Sequence, residues 1–297
     1  MFPSPSWWSS PGVMPELPEV ETVRRGLAPV LVGQRLARVV LRRPDLRFPF
    51  PEGFGQRLTG ARIEGLNRRA KYLLAPLDRG ETLVMHLGMS GRFQIEGRTP
   101  VSPFARAVAA DERHAHVLME TAAGDRITFF DPRRFGYMDL IATSEIERHP
   151  WFVGLGPEPL GEGFTAAHLA AAFAGRRQGA KTLLLDQRIV AGLGNIYVCE
   201  ALHRARISPV RPAARIGLPA LKRLVSTVRQ VLEQAIIAGG STLRDFAGTD
   251  GDLGYFQHRF EAYGREGETC TRPGCGGRIV RIVQSGRSTF YCPRCQR

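Results

Sequence analysis

The 297-residue chain has no apolar run near the 18 residues or so that can span a bilayer. Its first 13 residues, MFPSPSWWSSPGV, also lack the basic start and apolar stretch of a secretory signal. Together these absences point to a soluble, cytoplasmic protein with no membrane partner. Acidic residues are few, 28 against 41 Lys and Arg, and they form no compensating tail, so the formal net charge is +13. That balance fits a polyanion partner, most simply nucleic acid. Arginine greatly outnumbers lysine, so a generally basic surface from a GC-rich genome is the other reading of the same charge. Cysteine is sparse and clustered: four of the five lie at the C-terminal end, which speaks against a disulfide framework spread over the fold and for a metal site. Internal repeats, a Ser/His/Asp set and a phosphate-cradling P-loop are not apparent.

The length suffices for two domains, each with its own core. Residues 1–14 are Pro- and Ser-rich with no helical or strand period, and they are expected to form an unstructured extension. From Pro18, Val20, Val23 and Leu27 fall at helical spacing, with Pro in the first turn and Glu19 and Glu21 near the positive end. This predicts one short helix ending about Gly26 or soon after. The pieces RLARVVL, ARIEGL, KYLLAPL, TLVMHLG, RFQIEG, HVLMET, RITFFD and YMDLIA, broken by Gly, Pro and Asp, predict an antiparallel β-sandwich or barrel over residues 15–145. Residues 97–113 read as a long loop. Beyond WFVGLGPEPLG the texture turns helical, in TAAHLAAAFAG, AKTLLLDQRI, NIYVCEALHRARI and LPALKRLVSTVRQVLEQAIIAG, which predicts a helical domain over 150–255. Within it residues 239–256 are Gly-rich and read as a mobile loop. The fold class is therefore α+β.

Residues 261–297 carry Cys270-x4-Cys275 and Cys292-x2-Cys295, four thiolates on two short knuckles, as tetrahedral zinc requires. The intervening GRIVRIVQSGRSTFY reads as a β-hairpin turning at Ser285 and Gly286, which brings the knuckles together. Two disulfides or four free thiols are the plain alternatives. Four protein ligands leave zinc no open position, so one structural Zn2+ is expected. Cys199 reads as a small buried apolar residue.

Eight segments, in order, resemble the formamidopyrimidine-DNA glycosylases: PELPEVETVRRGL from Pro15, RRAKYLL around Lys71, HLGMSGRF from His86, DPRRFG from Asp131, LGPEPL from Leu155, AGLGNIYVCEAL from Ala191, GGSTLRDF from Gly239, and the cysteine hairpin. The resemblance implies an N-terminal β-sandwich, a helix-two-turn-helix domain and a zinc finger. It implies a monomeric bacterial enzyme that excises oxidised purines such as 8-oxoguanine from double-stranded DNA and cleaves the abasic site, acting on the nucleoid. The PELPEV start matches this oxidised-purine branch. The related endonuclease VIII branch, acting on oxidised pyrimidines, and a zinc-hairpin damage binder without activity are the alternatives.

By this resemblance Pro15 is the amine nucleophile that forms an iminium with the deoxyribose. A free α-amine has a pKa of roughly 7.7–8.0, so an appreciable fraction is neutral near pH 7. Glu16 is the implied general acid/base, Glu19 supports it, and Lys71 and Arg287 act on phosphate beside the lesion. From the residues alone, Pro15, Glu16 and Glu19 also read as a plain helix entry. Excising a base from a duplex requires everting it. Met89, Arg133 and Phe135 are the implied void-filling residues, Arg133 donating to the widowed cytosine; core packing is the plain reading of Met89 and Phe135. Arg134 and Asn195 are implied phosphate contacts. Thr242, Leu243, Arg244 and Asp245 lie in the loop that covers the everted base in relatives. The glycines of AGLGNIY precede a helix, where free N–H groups and the dipole make an anion site. His86, His116 and His258 read as structural or surface residues. A nitrogen bonded to Met14 is an amide and cannot form an iminium, so GVMPELPEVE is expected to be a chain start, either by translation from Met14 with loss of that methionine or by cleavage of a leader.

Overall fold

Alternation at a period of two builds the first half of the molecule, and a period of 3.6 builds most of the second. The computed structural model describes residues 14–96, 111–241 and 254–297. Helix α1 (Leu17–Leu31) opens with Pro18 in its first turn, as predicted. The backbone N–H of Glu16 donates to Glu19 Oε2 at 3.0 Å, satisfying one of the donors a helix start leaves open. The helix runs past the expected end near Gly26 and through Pro29. Val30 and Leu31 are buried, and that anchoring outweighs the single N–H that Pro29 cannot donate.

Two four-stranded antiparallel sheets follow. One has the order β1 (Leu36–Leu41), β6 (Ala115–Thr121), β7 (Arg126–Phe130), β5 (Arg92–Ile95); the other β2 (Asn67–Arg69), β3 (Tyr72–Pro76), β4 (Glu81–His86), β8 (Tyr137–Ala142). Alternate residues such as Leu73, Met85, Phe93, Met119 and Phe129 fill one core, which Val20, Val23 and Leu27 of α1 close. The expected strand ARIEGL is not a strand. It makes single bridges, Arg35 to Arg62 and Ile63 to Leu77, and two different partners leave no continuous ladder. Strand β2 and helix α2 (Phe54–Leu58) are too short for a period to reveal them. Of the expected loop, residues 97–110 lie outside the described residues, as does the 1–13 extension, while Glu112–His114 form a 3-10 turn.

The second core is built by α3 (Ala166–Phe173), α4 (Ala180–Leu184), α5 (Asn195–Ala205) and α6 (Leu218–Ile237). Helix α4 stops well short of the segment AKTLLLDQRI. Asp186 accepts from the backbone N–H and guanidinium of Arg188, a local turn that competes with helix. Much of the 239–256 loop, residues 242–253, lies outside the described residues, but Phe256 at its far end is fully buried in the helical core. The C-terminal hairpin pairs β9 (Val280–Gln284) with β10 (Arg287–Tyr291). Its two-residue turn has Ser285 and Gly286 at φ 48° and 72°, the left-handed geometry that suits a tight hairpin.

Glu158, between the two halves, joins them. Its Oε1 accepts from Arg69 Nη1 at 2.8 Å and Ala70 N at 2.6 Å, and its Oε2 from Arg68 Nη1 at 2.7 Å. Burial pushes this carboxyl up, but the Arg68 charge, the Ala70 N–H and the guanidinium bonds outweigh burial and hold it below the usual range. A lowered carboxyl adds stability that is present above its unfolded pKa and is lost as pH falls through the folded one. Glu158→Gln is therefore expected to cost about 2 kcal/mol at neutral pH. In urea unfolding followed from pH 7 to pH 3, the gap between variant and parent should close on the acid side.

Candidate functional site

The site begins with two glycines. Gly192 has φ +81°, and a Cβ there would meet Leu17 Cδ1 at 2.7 Å; a Cβ on Gly194 would lie 2.1 Å from Glu16 Cδ. Bare backbone lets the Pro15–Leu17 segment close on the start of α5, with Leu17 N donating to Gly192 O at 3.3 Å. Ile196 N then donates to Glu16 Oε1 at 2.9 Å and Tyr197 N to Oε2 at 3.4 Å. The sequence predicts an anion site at this helix start, and the anion seated there is the chain's own Glu16 carboxylate. Glu16 is 3% exposed. Its carboxyl is pushed up to about 7, first by burial; Lys71's charge pulls it down, Glu19's raises it, and the two N–H donors lower it.

Glu19, also buried, faces the same helix. It accepts from the Tyr197 hydroxyl, from Ser241 N at 2.7 Å and from Ser241 Oγ at 3.1 Å. One carboxylate thereby ties α1 to α5 and to the residues leading out of α6. Burial first, then Glu19, keeps the Tyr197 hydroxyl protonated far above its usual range. The sequence gives Tyr197 and Ser241 no role, because nothing local marks a hydroxyl whose partner lies in α1, more than 170 residues away in the chain.

Lys71 follows Ala70, which turns the chain between β2 and β3 in the left-handed region at φ 52°. Burial pushes the Lys71 ammonium down, Glu16 and Glu19 pull it up, and Arg287 at the start of β10 pushes it down further. Residues from α1, the β2–β3 turn and the terminal hairpin thus share one electrostatic cluster beside Pro15, itself buried. Asn195 Nδ2 donates to Ser288 O at 3.0 Å. The fully buried Lys181 donates to Ser288 O at 2.9 Å and Thr289 Oγ1 at 2.6 Å. These bonds dock β10, and with it Arg287, on α4 and α5; Lys181 carries no sequence signal. His86, which reads from sequence as structural or surface, joins the cluster. Its Nδ1 accepts from Gly88 N at 3.0 Å, which places the ring proton on Nε2. Burial, then the Lys71 and Arg47 charges, push it down to about 3, so the ring is neutral near pH 7. His116 is structural, its Nε2 2.9 Å from Asp131 O.

Two loops meet at Gly88, where a Cβ would lie 2.2 Å from the carbonyl carbon of Phe135. Asp131, fully buried, accepts from Ser90 Oγ and from Gly136 N, and Ser90 Oγ accepts from Arg133 N at 3.1 Å. This lock holds Met89, Arg133 and Phe135 together. Met89 and Phe135 are partly exposed and belong to neither core, and the Arg133 guanidinium lies over the Phe135 ring, 5.1 Å from its centroid. Arg134 is exposed with φ 56°. Thr242, Leu243, Arg244 and Asp245 lie outside the described residues.

The hairpin brings the two knuckles together. The sulfurs of Cys270, Cys275, Cys292 and Cys295 all lie within 4.8 Å of one another, with Cys270 3.8 Å from Cys295 and Cys275 3.6 Å from Cys292. Tetrahedral zinc with Zn–S near 2.3 Å places its sulfurs about 3.8 Å apart. A Cβ on Gly277 would lie 2.7 Å from Cys292 Sγ, so the cradle needs glycine there. The four residues fit one structural zinc. Cys199 is buried, and burial pushes its thiol up to about 11, which makes it inert.

Three stretches match described families: residues 14–138 the "Formamidopyrimidine-DNA glycosylase N-terminal domain", 155–247 the "Formamidopyrimidine-DNA glycosylase H2TH domain", and 267–297 the "Zinc finger found in FPG and IleRS". A formamidopyrimidine-DNA glycosylase of Caulobacter sp. is 66% identical over 286 residues, covering 95% of this chain and 100% of the relative. One of Phenylobacterium zucineum is 67% identical over 287 residues, covering 96% and 100%. Among solved structures, the MutM (FPG) protein of Thermus thermophilus superposes with a TM-score of 0.80 at 41% identity, covering 95% of this chain and 98% of that one. A Lactococcus lactis Fpg in complex with abasic-site DNA superposes with a TM-score of 0.82 at 35% identity, covering 95% and 100%. On this agreement along nearly its whole length, the chain belongs to the formamidopyrimidine-DNA glycosylase family.

Proposed function

We propose that this protein is a DNA glycosylase of base excision repair that removes oxidised purines, among them formamidopyrimidines and 8-oxoguanine, and then cleaves the abasic strand. Its partner is double-stranded DNA bearing the lesion, met on the chromosome in the cytoplasm. The observation that carries this reading is the buried Glu16 carboxylate beside Pro15, seated on α5 and within the field of Lys71.

The Pro15 nitrogen, once free, attacks C1′ of the everted nucleotide as the base leaves. Glu16, protonated over part of the neutral range, delivers a proton at the sugar ring oxygen and opens it. The resulting iminium on Pro15 draws electrons from the sugar, so the 3′ and then the 5′ phosphate leave by β- and δ-elimination. Lys71, Asn195 and Arg287 bind the phosphates beside the lesion, Lys71 as a point charge. Met89 and Phe135 fill the void, offsetting stacking worth a few kcal/mol per step, while Arg133 donates to the widowed base and Arg134 to phosphate. Glu19 fixes the Glu16 segment, and Thr242, Leu243, Arg244 and Asp245 close over the everted base. The zinc finger holds the hairpin that carries Arg287; zinc takes part in no chemical step. Residues 15–145, 150–255 and 261–297 act as catalytic, helix-two-turn-helix and zinc units, with 1–14 absent from the active species.

Three outcomes follow. Borohydride reduction during reaction with 8-oxoguanine:C duplex should give a covalent adduct, mapped by mass spectrometry to Pro15, from chain that starts at Pro15. Chain still joined through Met14 should give none, and an adduct on Lys71 would overturn the assignment. Removing zinc with a chelator should abolish binding to lesion DNA in a mobility-shift assay; full affinity without metal would contradict the role of the hairpin. Asp131→Asn weakens the lock on the void-filling loops, so excision of 8-oxoguanine should fall at least tenfold while cleavage of a preformed abasic site falls far less. Equal losses in both assays would assign Asp131 to general stability.

A further inference from the structure

The last turn of α5 reaches the cysteine cluster through one side chain. His203 is fully buried, with Nε2 3.4 Å from Cys270 Sγ and Nδ1 3.3 Å from Glu261 Oε2. Glu261 Oε1 lies in turn 2.9 Å from Arg204 Nε. One turn earlier on the helix, buried Glu200 accepts the backbone N–H groups of Glu261, Ala262 and Tyr263 at 2.9, 3.0 and 2.7 Å. Arg272, inside the first knuckle, donates back to His203 O at 3.0 Å. The helix therefore grips both the approach to the zinc unit and the first of its sulfurs.

Four thiolates around Zn2+ leave a net charge of about −2 in a largely buried place. Such a charge is costly unless N–H donors meet it. A thiolate bound to metal carries no proton and can only accept, so the nitrogen facing Cys270 Sγ must be the donor. We propose that His203 is a fifth, non-ligating member of the zinc centre: Nε2–H donates to the Cys270 thiolate, Glu261, itself beside Arg204, packs against the other edge of the ring, and the bond slows loss of the metal. Partners that hydrogen-bond a metal's ligands from outside typically change affinity 10- to 100-fold. The proposal rests on zinc being bound by the four cysteines. It assigns to α5, whose first turn seats Glu16, a second task at its other end.

The test uses the full-length zinc-loaded protein and a chromogenic chelator. His203→Phe keeps a ring but removes the donor, and it should speed zinc release about 10- to 100-fold. His203→Gln returns an N–H close to the position of Nε2 and should restore most of the slow release. In the cobalt-substituted protein, losing a donor raises the energy of the sulfur lone pair, so the sulfur-to-cobalt charge-transfer band of the Phe variant should move to lower energy. A change of packing alone would not move that band. Should the Phe variant not fold, Glu261→Gln, which loosens the ring without removing it, should still release zinc faster than the parent by a smaller factor. Unchanged release and an unmoved band, or equal acceleration by Phe and Gln, would overturn the role of His203. Parent protein that binds no stoichiometric metal would instead overturn the zinc reading on which the proposal stands.

Discussion

A carboxylate shut away from water is among the more costly things a fold can contain, and Glu16 is one. Among the described residues no cation bonds it directly; two backbone N–H groups and the positive end of α5 meet it. That seat is possible only because the turn before α5 has no side chains at Gly192 and Gly194. Given the seat, much else is constrained. The start of α1 must pack on α5, so the sheet half and the helical half meet at the Glu16 carboxylate. Helix α5, roughly 16 Å long at 1.5 Å per residue, carries that constraint to the zinc unit at its far end, where His203 and Glu200 take hold.

The rest of the site is assembled around this contact by docking. Glu158 fixes the β2–β3 turn that presents Lys71. Lys181 and Asn195 fix the strand that presents Arg287. Asp131 fixes the two loops that present Met89, Arg133 and Phe135. In doing so Glu158, Lys181 and Asp131 each bond backbone and side-chain groups alike. A chain with net charge +13 then draws DNA to a surface whose chemistry sits in one concentrated cluster.

The architecture was legible from sequence because it rests on short-range patterns. Alternation marked seven of the eight expected strands, Ser285 and Gly286 marked the hairpin turn, and cysteine spacing marked the metal cradle. Misreadings came where local signals compete. ARIEGL alternates but finds only single bridges, the Asp186–Arg188 turn cuts α4 short, and buried Val30 and Leu31 carry α1 past Gly26 and Pro29. The supporting cast was not legible. Tyr197, Ser241, Lys181 and His203 owe their places to partners far off in the chain, and nothing local separates them from ordinary core or surface residues. Even the anion site before α5 was only half readable: the glycines announced it, but not that Glu16 fills it.

Burial at the start of α5 holds Glu16 protonatable near neutrality. Carbon-13 NMR of carboxyl-labelled glutamates, titrated in chain joined through Met14 so that no terminal ammonium adds its charge, measures this directly. The Glu16 signal is identified by its loss in Glu16→Gln. It should titrate near pH 7. A Glu16 carboxyl that titrates in the ordinary range, near pH 4.5, would contradict this role of burial.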